Sequence, residues 1–217
     1  MSFVKLHAPT NMAIYGPTQS GKTKFVLQLL KQANTMFTEH VDEIYYCYGA
    51  YQQAYEEIKK VAGVDKTVLY AGMPLVKDCV KWSYMKNHII IVFDDLMTEL
   101  GKDKDMVKFV TVNCSHNGIT MIVLLHNIFQ PGLRTLSINT HYVVLFKNKR
   151  DSLQVEMFGR RVMKDRLKYF FDCYRKATQN PYGYLFVDLH PRSDDMYVLR
   201  TRIFSDETPT IIYVYRE

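Results

Sequence analysis

Residues 16–23 carry the clearest chemical signal in the sequence. They read Gly-Pro-Thr-Gln-Ser-Gly-Lys-Thr and match the spacing G-x-x-x-x-G-K-[S/T] in full. In such a loop, successive backbone N–H groups surround a phosphate chain, and glycine permits the dihedral angles and the close approach that this requires. The loop therefore predicts binding of a nucleoside triphosphate, with ATP as the expected ligand. The residues expected to bind it are Gly16, Pro17, Thr18, Gln19, Ser20, Gly21, Lys22 and Thr23.

Two further groups of polar residues follow apolar runs. Lys22 is predicted to reach the β- and γ-phosphates, and the Thr23 hydroxyl to be a ligand of Mg²⁺. Asp94 and Asp95 come directly after the run Ile89–Phe93. Asp94 is the second predicted Mg²⁺ ligand, and Asp95 is a candidate for polarising the attacking water. A turn cap remains the alternative for Asp95, whose side chain is one methylene shorter than the glutamate found in many ATPases.

His126 and Asn127 follow a second apolar run, residues 120–125. Ligands of parallel α/β sheets bind at the carboxyl ends of the strands. If this strand lies between the phosphate-loop strand and the Asp94 strand, either residue could contact the γ-phosphate or the water as a sensor. A helix cap or a turn is the alternative interpretation.

The positions of these residues depend on alternating strands and helices up to residue 150, which predict an α/β fold with a mostly parallel sheet. Strands are predicted at 11–15, 44–48, 67–70, 89–93, 120–125, 142–146, 184–188, 197–202 and 210–215. Helices are predicted at 22–33, 51–61, 78–85, 105–117 and 161–176. We interpret residues 1–217 as a single domain with a β-rich C-terminal extension from about residue 181. The tyrosines of that extension, among them Tyr182 and Tyr184, are expected to pack on the sheet.

The basic charge of the chain is concentrated in one segment. The net charge is +6, and residues 131–176 hold 11 basic and four acidic residues, so the rest of the chain is nearly neutral. A basic region on a neutral body suits a polyanionic partner such as nucleic acid, and a solvated surface that happens to be basic is the alternative. Four basic residues fall on one stripe of the predicted helix 161–176 and are expected to contact DNA phosphates. They are Arg161, Lys164, Lys168 and Arg175.

Composition narrows the class of protein further. The longest apolar runs are five residues, against about 20 for a membrane-spanning helix, so no membrane partner is expected. The N-terminal residues lack the apolar stretch of a secretory signal, and the four cysteines form no CxxC pair. These features are typical of an intracellular, non-secreted protein.

Several segments together resemble a known family. They are GPTQSGKT, IIIVFDDL, HNIF, QPGLRTLSIN, HYVVLFKNKRD and YGYLFVDL. In combination they are similar to the packaging-ATPase branch of the FtsK/HerA superfamily, in particular the poxvirus-type enzymes and those of Polinton transposons and virophages. Residues 120–151 are the most specific part of this likeness. One departure is His126, because relatives usually carry glutamine before the asparagine.

The resemblance implies a RecA/FtsK-HerA-like P-loop NTPase, with the His126 strand inserted between the phosphate-loop and Asp94 strands. It implies an ATPase that forms a homo-oligomeric ring, a pentamer or hexamer, and pumps double-stranded DNA into a preformed capsid. Capsid or portal proteins would be partners, at the site of virion assembly in the host cytoplasm or nucleus. It also implies an arginine donated across the subunit interface, for which Arg134 and Arg150 are the candidates.

Other functions stay open from sequence alone. One is a related DNA pump with a task other than packaging. A second is a small-molecule kinase or a GTPase-type switch, since Asn148-Lys149-Arg150-Asp151 imitates the guanine-reading motif Asn-Lys-x-Asp. A third is a scaffold that binds nucleotide without hydrolysing it, although the intact Lys22, Thr23 and Asp94 argue against that.

Overall fold

The computed structural model describes residues 4–207 and 209–215. Its strands are β1 (Asn11–Tyr15), β2 (Glu43–Tyr48), β3 (Lys66–Ala71), β4 (Ile89–Asp94), β5 (Ile119–Leu125), β6 (Tyr142–Phe146), β7 (Tyr184–Asp188), β8 (Leu199–Thr201) and β9 (Ile211–Tyr213). Its α-helices are α1 (Lys22–Lys31), α2 (Ala33–Met36), α3 (Val76–Ser83), α4 (Met97–Lys102), α5 (Lys104–Lys108), α6 (Arg134–Ile138), α7 (Ser152–Val162) and α8 (Leu167–Ala177). None of the helices in these ranges is long and apolar enough to cross a lipid bilayer.

The described strands form one sheet in the order β3-β2-β4-β5-β1-β6-β7-β8-β9. Strands β1 to β6 are parallel to one another, whereas the pairs β6–β7, β7–β8 and β8–β9 are antiparallel. Strand β5 lies between β4 and β1, which confirms the predicted inserted strand and the predicted mostly parallel α/β sheet. The carboxyl ends of β1, β4 and β5 therefore meet at one edge, which we call the carboxyl edge.

Apolar side chains cover both faces of the central strands, as expected where helices pack on either side. In β1, Ala13 and Tyr15 belong to one core, and Met12 and Ile14 belong to the other. Helices α1 and α2 cover the second core, whereas α3 to α8 supply the first. The central strands are thus covered on both faces, and β1, β4 and β5 are buried along their whole length.

The structure corrects the predicted helix 161–176. Helix α7 ends at Val162, Met163 adopts φ −137° and ψ 63°, and α8 begins at Leu167 after a short 3₁₀ turn. The two helices pack against each other at Gly159, where a Cβ would lie 2.6 Å from the Phe170 ring. This pairing buries the apolar stripe of each helix, so it outweighs the local preference for one continuous helix.

Two other predicted helices are also irregular. Residues 51–61 contain only a 3₁₀ helix, Gln53–Ile58. Residues 105–117 contain the end of α5, a π-helical turn Phe109–Asn113 and a 3₁₀ turn Ser115–Asn117. Gly118, with φ 67°, then turns the chain into β5, close to the backbone oxygen of Asn87. Helical periodicity located these segments but did not distinguish the helix types.

Candidate functional site

The loop between β1 and α1 has the backbone that the glycine spacing predicts. Gln19 and Gly21 adopt φ 64° and 107°, in the left-handed region. A Cβ on Gly16 would lie 2.5 Å from Ser20 Oγ and 2.8 Å from Phe146 Cβ, so only glycine fits. Ser20 Oγ is buried and has no hydrogen-bond partner within the described chain. A buried hydroxyl without a partner suits an anion that binds inside the loop.

Lys22 is folded back over this loop. Its ammonium donates to the backbone oxygens of Gly16 at 2.7 Å and Pro17 at 3.1 Å, and it lies 3.3 Å from His126 Nδ1. Burial lowers the pKa of Lys22 to about 8, although the nearby carboxylates of Asp94 and Asp95 oppose the shift. A partly desolvated cation held only by neutral acceptors is poised to bind phosphate oxygens.

Asp94 lies at the carboxyl end of β4 and is buried. Its Oδ2 accepts hydrogen bonds from Thr23 Oγ1 at 3.2 Å, Tyr46 OH at 2.7 Å and Tyr55 OH at 3.0 Å. Burial raises the pKa of both tyrosines, so they remain protonated donors to the carboxylate. Carboxylate and hydroxyl oxygens are ligands that Mg²⁺ prefers, so the Thr23–Asp94 pair fits the predicted metal.

Asp95 and His126 line the same cleft as residues 18–23, with a volume of about 460 Å³. Asp95 is exposed and has φ 58°. Burial, reinforced by the charge of Lys22, lowers the pKa of His126. The lowered pKa favours the neutral imidazole, and in the tautomer whose Nδ1 accepts from the Lys22 ammonium, 3.3 Å away, the proton is on Nε2. The cleft thus combines a carboxylate and a neutral N–H donor.

Asn127 takes a different direction. It is exposed, and its Oδ1 accepts from Gln154 Nε2 at 3.4 Å. Gln154 also accepts from the Ile128 N–H and donates to Asp151, the residue that caps α7. Of the two predicted sensor candidates, His126 is the one beside Lys22, and Asn127 contacts the start of α7.

The two candidate arginines lie in separate places. Arg134 begins α6 and is exposed. Arg150 is also exposed, in a groove of about 830 Å³ that residues 17–20 line from the other side. The residues around Arg150 form a hydrogen-bonded turn. Asn148 Oδ1 accepts from the N–H groups of Arg150 and Asp151, and the Asp151 side chain caps α7. The stretch that imitates a guanine-reading motif is thus a turn that starts a helix.

The four predicted DNA contacts are exposed but do not lie on one helix, which corrects the predicted stripe. Arg161 is on α7, Lys164 is in the turn, and Lys168 and Arg175 are on α8. Arg161 lies over the Phe129 ring, 4.8 Å from its centroid, and Arg175 forms an ion pair with Asp172. Met163 breaks the helix, so spacing along the sequence does not set the relative orientation of these side chains.

Three tyrosines near the site were not predicted there. Tyr46 and Tyr55 were expected as ordinary strand and helix residues, and no spacing rule relates them to Asp94. The prediction that the C-terminal tyrosines pack on the sheet holds for Tyr184, which is buried. It is wrong for Tyr182, which is 64% exposed and lies beside Gly21 and over the cleft. Its place in the sequence Asn-Pro-Tyr-Gly, a turn, was the available signal.

Solved structures share this fold. The genome packaging NTPase B204 from Sulfolobus turreted icosahedral virus 2, in complex with AMP, matches with a TM-score of 0.55 and 11% identity, covering 95% of this chain and 97% of that one. The same NTPase with ATP-gammaS gives 0.58 and 10%, covering 85% and 94%. The DNA-packaging ATPase B204 from Sulfolobus turreted icosahedral virus gives 0.62 and 9%, covering 83% and 92%. At these identities the likeness concerns the fold. No curated protein matches the sequence.

The family comparison is more specific than the fold comparison. The family model described as poxvirus A32 protein matches residues 3–188, which include the phosphate loop, Asp94, His126 and both candidate arginines. This match confirms the poxvirus-type resemblance that the sequence motifs indicate. The chain therefore belongs to the poxvirus A32 protein family.

Proposed function

We propose that this chain is an ATP-hydrolysing motor that packages double-stranded viral DNA into a preformed capsid. One observation carries the proposal: Thr23 Oγ1 donates a hydrogen bond to Asp94 Oδ2 at 3.2 Å, beside a complete phosphate loop, in a chain of the poxvirus A32 family. The similar solved structures are named as a genome packaging NTPase and a DNA-packaging ATPase, and two of them are complexes with AMP and ATP-gammaS. These names support ATP as the substrate.

Catalysis by this site consists mainly of positioning and charge neutralisation. The N–H groups of the loop bind the phosphate chain, and the Lys22 ammonium exchanges the carbonyls of Gly16 and Pro17 for phosphate oxygens. Thr23 and Asp94 would hold Mg²⁺, which supplies charge neutralisation at the phosphates when bound. Tyr46 and Tyr55 fix the orientation of the Asp94 carboxylate.

Asp95 and His126 act on the water and on the terminal phosphate. Asp95, at the mouth of the cleft, accepts a hydrogen bond from the attacking water and orients it. His126 donates from Nε2 to the γ-phosphate and, through Nδ1, senses whether Lys22 is engaged. Asp95→Asn is expected to keep ATP binding and to stall turnover, and unchanged turnover would remove Asp95 from this role.

The proposed motor also contacts DNA and neighbouring subunits. Exposed basic residues of α7, α8 and the turn between them, including Arg161, Lys164, Lys168 and Arg175, contact DNA phosphates without reading sequence. The chain assembles as a homo-oligomeric ring, a pentamer or hexamer. In that ring Arg134 or Arg150 reaches the ATP site of the next subunit. The ring docks on capsid or portal proteins in the host cytoplasm or nucleus, where virions assemble.

The test is ATP hydrolysis measured against protein concentration, with and without double-stranded DNA, and with Lys22→Ala as the inactive control. A ring motor gives activity that rises more than linearly with concentration and that DNA stimulates. DNA binding should weaken steeply with salt and change little with sequence. Activity that is linear in concentration and indifferent to DNA would overturn the proposal in favour of a self-sufficient kinase or switch.

A mixing experiment separates the two arginines. The arginine that acts in the neighbouring site, replaced by alanine, gives an inactive protein that also inhibits the wild type when the two are mixed. The other variant does not inhibit. If neither variant inhibits, the contribution between subunits comes from another residue.

A further inference from the structure

A second cavity adjoins the phosphate cleft. It has a volume of about 310 Å³ and lies between α1, the end of α8 and the carboxyl-edge ends of β6 to β8. Gly21, Lys24 and Tyr182 line both this cavity and the phosphate cleft, so the two spaces are adjacent. Its size lies at the lower end of the range for small-molecule sites, about 300–1,000 Å³.

The cavity lies on the side of the phosphate loop away from Asp94. In the sheet, β4 and β5 are on one side of β1, whereas β6, β7 and β8 are on the other. A triphosphate whose terminal end points towards Asp94 and His126 must therefore leave the loop with its other end towards β6. The rest of the nucleotide then passes Lys24 at the start of α1 and arrives at this cavity.

The chemistry of the lining suits a flat aromatic ring. Four buried rings form one packed cluster along its floor, with Phe25 in contact with the other three at centroid distances of 4.9–6.1 Å; they are Phe25, Phe146, Tyr184 and Phe204. The rim carries polar side chains, including Lys24, Lys176, Asn180 and Arg202. An aromatic floor with a polar rim fits a heteroaromatic base joined to a sugar and phosphates.

Tyr182 supplies the exposed ring of this cavity. Its backbone has φ 61°, which is costly for a bulky residue, and its side chain is 64% exposed, so little burial offsets the strain. Strained residues of this kind cluster at ligand clamps. The next residue, Gly183, lies close to the backbone of α8: a Cβ built on it would lie 2.5 Å from the Ala177 carbonyl oxygen. The position after Tyr182 therefore accepts only glycine.

We propose that this cavity binds the purine base of the nucleotide and that Tyr182 stacks on it. The proposal rests on the nucleotide-binding part of the proposed function and adds the residue that recognises the base. Stacking on an aromatic face tolerates any base, so Tyr182 contributes affinity for a nucleotide rather than choice among purines.

The test compares two ligands that differ in the base. Dissociation constants for ATP and for inorganic tripolyphosphate are measured by calorimetry on the full chain, in the wild type and in Tyr182→Gly, Tyr182→Phe and Tyr84→Ala. Glycine accepts φ 61° without strain, so Tyr182→Gly removes the ring while preserving the turn. Tyr84, 73% exposed and distant in sequence from the cavity lining, is the matched control.

The expected result is weaker ATP binding by Tyr182→Gly, by roughly 5- to 100-fold, with tripolyphosphate binding unchanged. Tyr182→Phe and Tyr84→Ala should behave as the wild type. Equal weakening for both ligands, or no change for either, would overturn the base site. If Tyr182→Gly weakens ATP selectively but DNA does not stimulate hydrolysis, the base site stands and the packaging motor fails. If the wild type binds neither ligand, both proposals fail.

Discussion

Buried polar groups lie at the carboxyl edge of the sheet and also at its opposite edge, in strands β7 and β8, but their surroundings differ. At the carboxyl edge, Lys22 donates to backbone carbonyls beside an open cleft of about 460 Å³. At the opposite edge, Asp188 and Arg200 form an ion pair at 2.7 Å with both side chains 2% exposed. Three histidines, His7, His141 and His190, pack beside it, with ring centroids 4.7 and 5.0 Å apart.

The difference lies in whether the partners are permanent. At the opposite edge the buried charge has a counter-ion within the fold, because Arg200 donates to Asp188, and His141 Nδ1 accepts from the N–H of Asn11; Arg200 Nε has no hydrogen-bond partner among the described residues. At the carboxyl edge Ser20 Oγ has no partner within the described chain, and Lys22 is held by neutral acceptors. Burial and shifted pKa values are found at both edges, so they do not mark function. The feature that marks the functional edge is an open cleft whose polar groups can exchange their present contacts for those of a ligand.

The largest effect is expected on stability, when the ion pair at the opposite edge is broken. Arg200→Ala leaves the Asp188 carboxylate buried without its counter-ion and should lower the free energy of unfolding by about 3–5 kcal/mol. Urea denaturation measures it. Replacing both residues, as Arg200→Met with Asp188→Leu, should recover most of the loss because no buried charge remains. ATP hydrolysis per folded molecule should be unchanged in the double variant, and a loss of turnover there would break the comparison.

The second-largest effect is expected on activity, when Lys22 is replaced at the carboxyl edge. Lys22→Ala removes the cation from the phosphate site and should lower kcat/KM for ATP by about 100- to 1,000-fold, as loss of one charge-stabilising group does. Its unfolding midpoint in urea should stay close to that of the wild type, because the ammonium contacts only neutral acceptors, the carbonyls of Gly16 and Pro17 and His126 Nδ1, and has no counter-ion to leave buried. Lys60→Ala, at an exposed lysine, is the control for removing a positive charge. A large loss of stability in Lys22→Ala would make this edge as structural as the other.

The sequence predicted the two edges unequally. The glycine loop, the apolar runs of β4 and β5 and the acids after β4 follow from local chemistry, and they locate Lys22, Asp94 and Asp95 correctly at one edge. The contacts of Asp94 with Tyr46 and Tyr55 join elements far apart in the chain, and no local pattern encodes them. The break at Met163 depends on the packing of Gly159 against Phe170, a tertiary contact that helical periodicity does not report.

A smaller effect tests one of those unpredicted contacts. Tyr46→Phe removes a hydrogen bond of 2.7 Å to Asp94 Oδ2, while Thr23 and Tyr55 still donate to the same oxygen. We expect the Mg²⁺ concentration for half-maximal hydrolysis to rise about 3- to 10-fold, which is equivalent to about 0.7–1.4 kcal/mol and lies within the usual net contribution of one hydrogen bond. Tyr45→Phe is the matched control, because the Tyr45 hydroxyl donates to Glu43 and not to Asp94. An equal response of both variants would assign the effect to strand packing.

The smallest effect is a dependence of stability on pH, caused by the histidines at the opposite edge. Burial, with the nearby His141, His7 and Arg192, lowers the pKa of His190 to about 4, and burial also lowers that of His141. Between pH 6.5 and about 4 the folded chain therefore binds fewer protons than the unfolded chain, so the free energy of unfolding falls as pH falls.

We expect the melting temperature to drop by about 2–4 °C between pH 7 and pH 5, the equivalent of ~1 kcal/mol for a chain of this size. His190→Gln should reduce this slope, because glutamine does not titrate and only the lowered pKa of His141 remains at this edge. The carboxylate of Asp188 cannot produce the same slope, because burial raises its pKa and its contribution to stability therefore changes with pH in the opposite sense. A slope as steep in His190→Gln as in the wild type would assign the titration to another group.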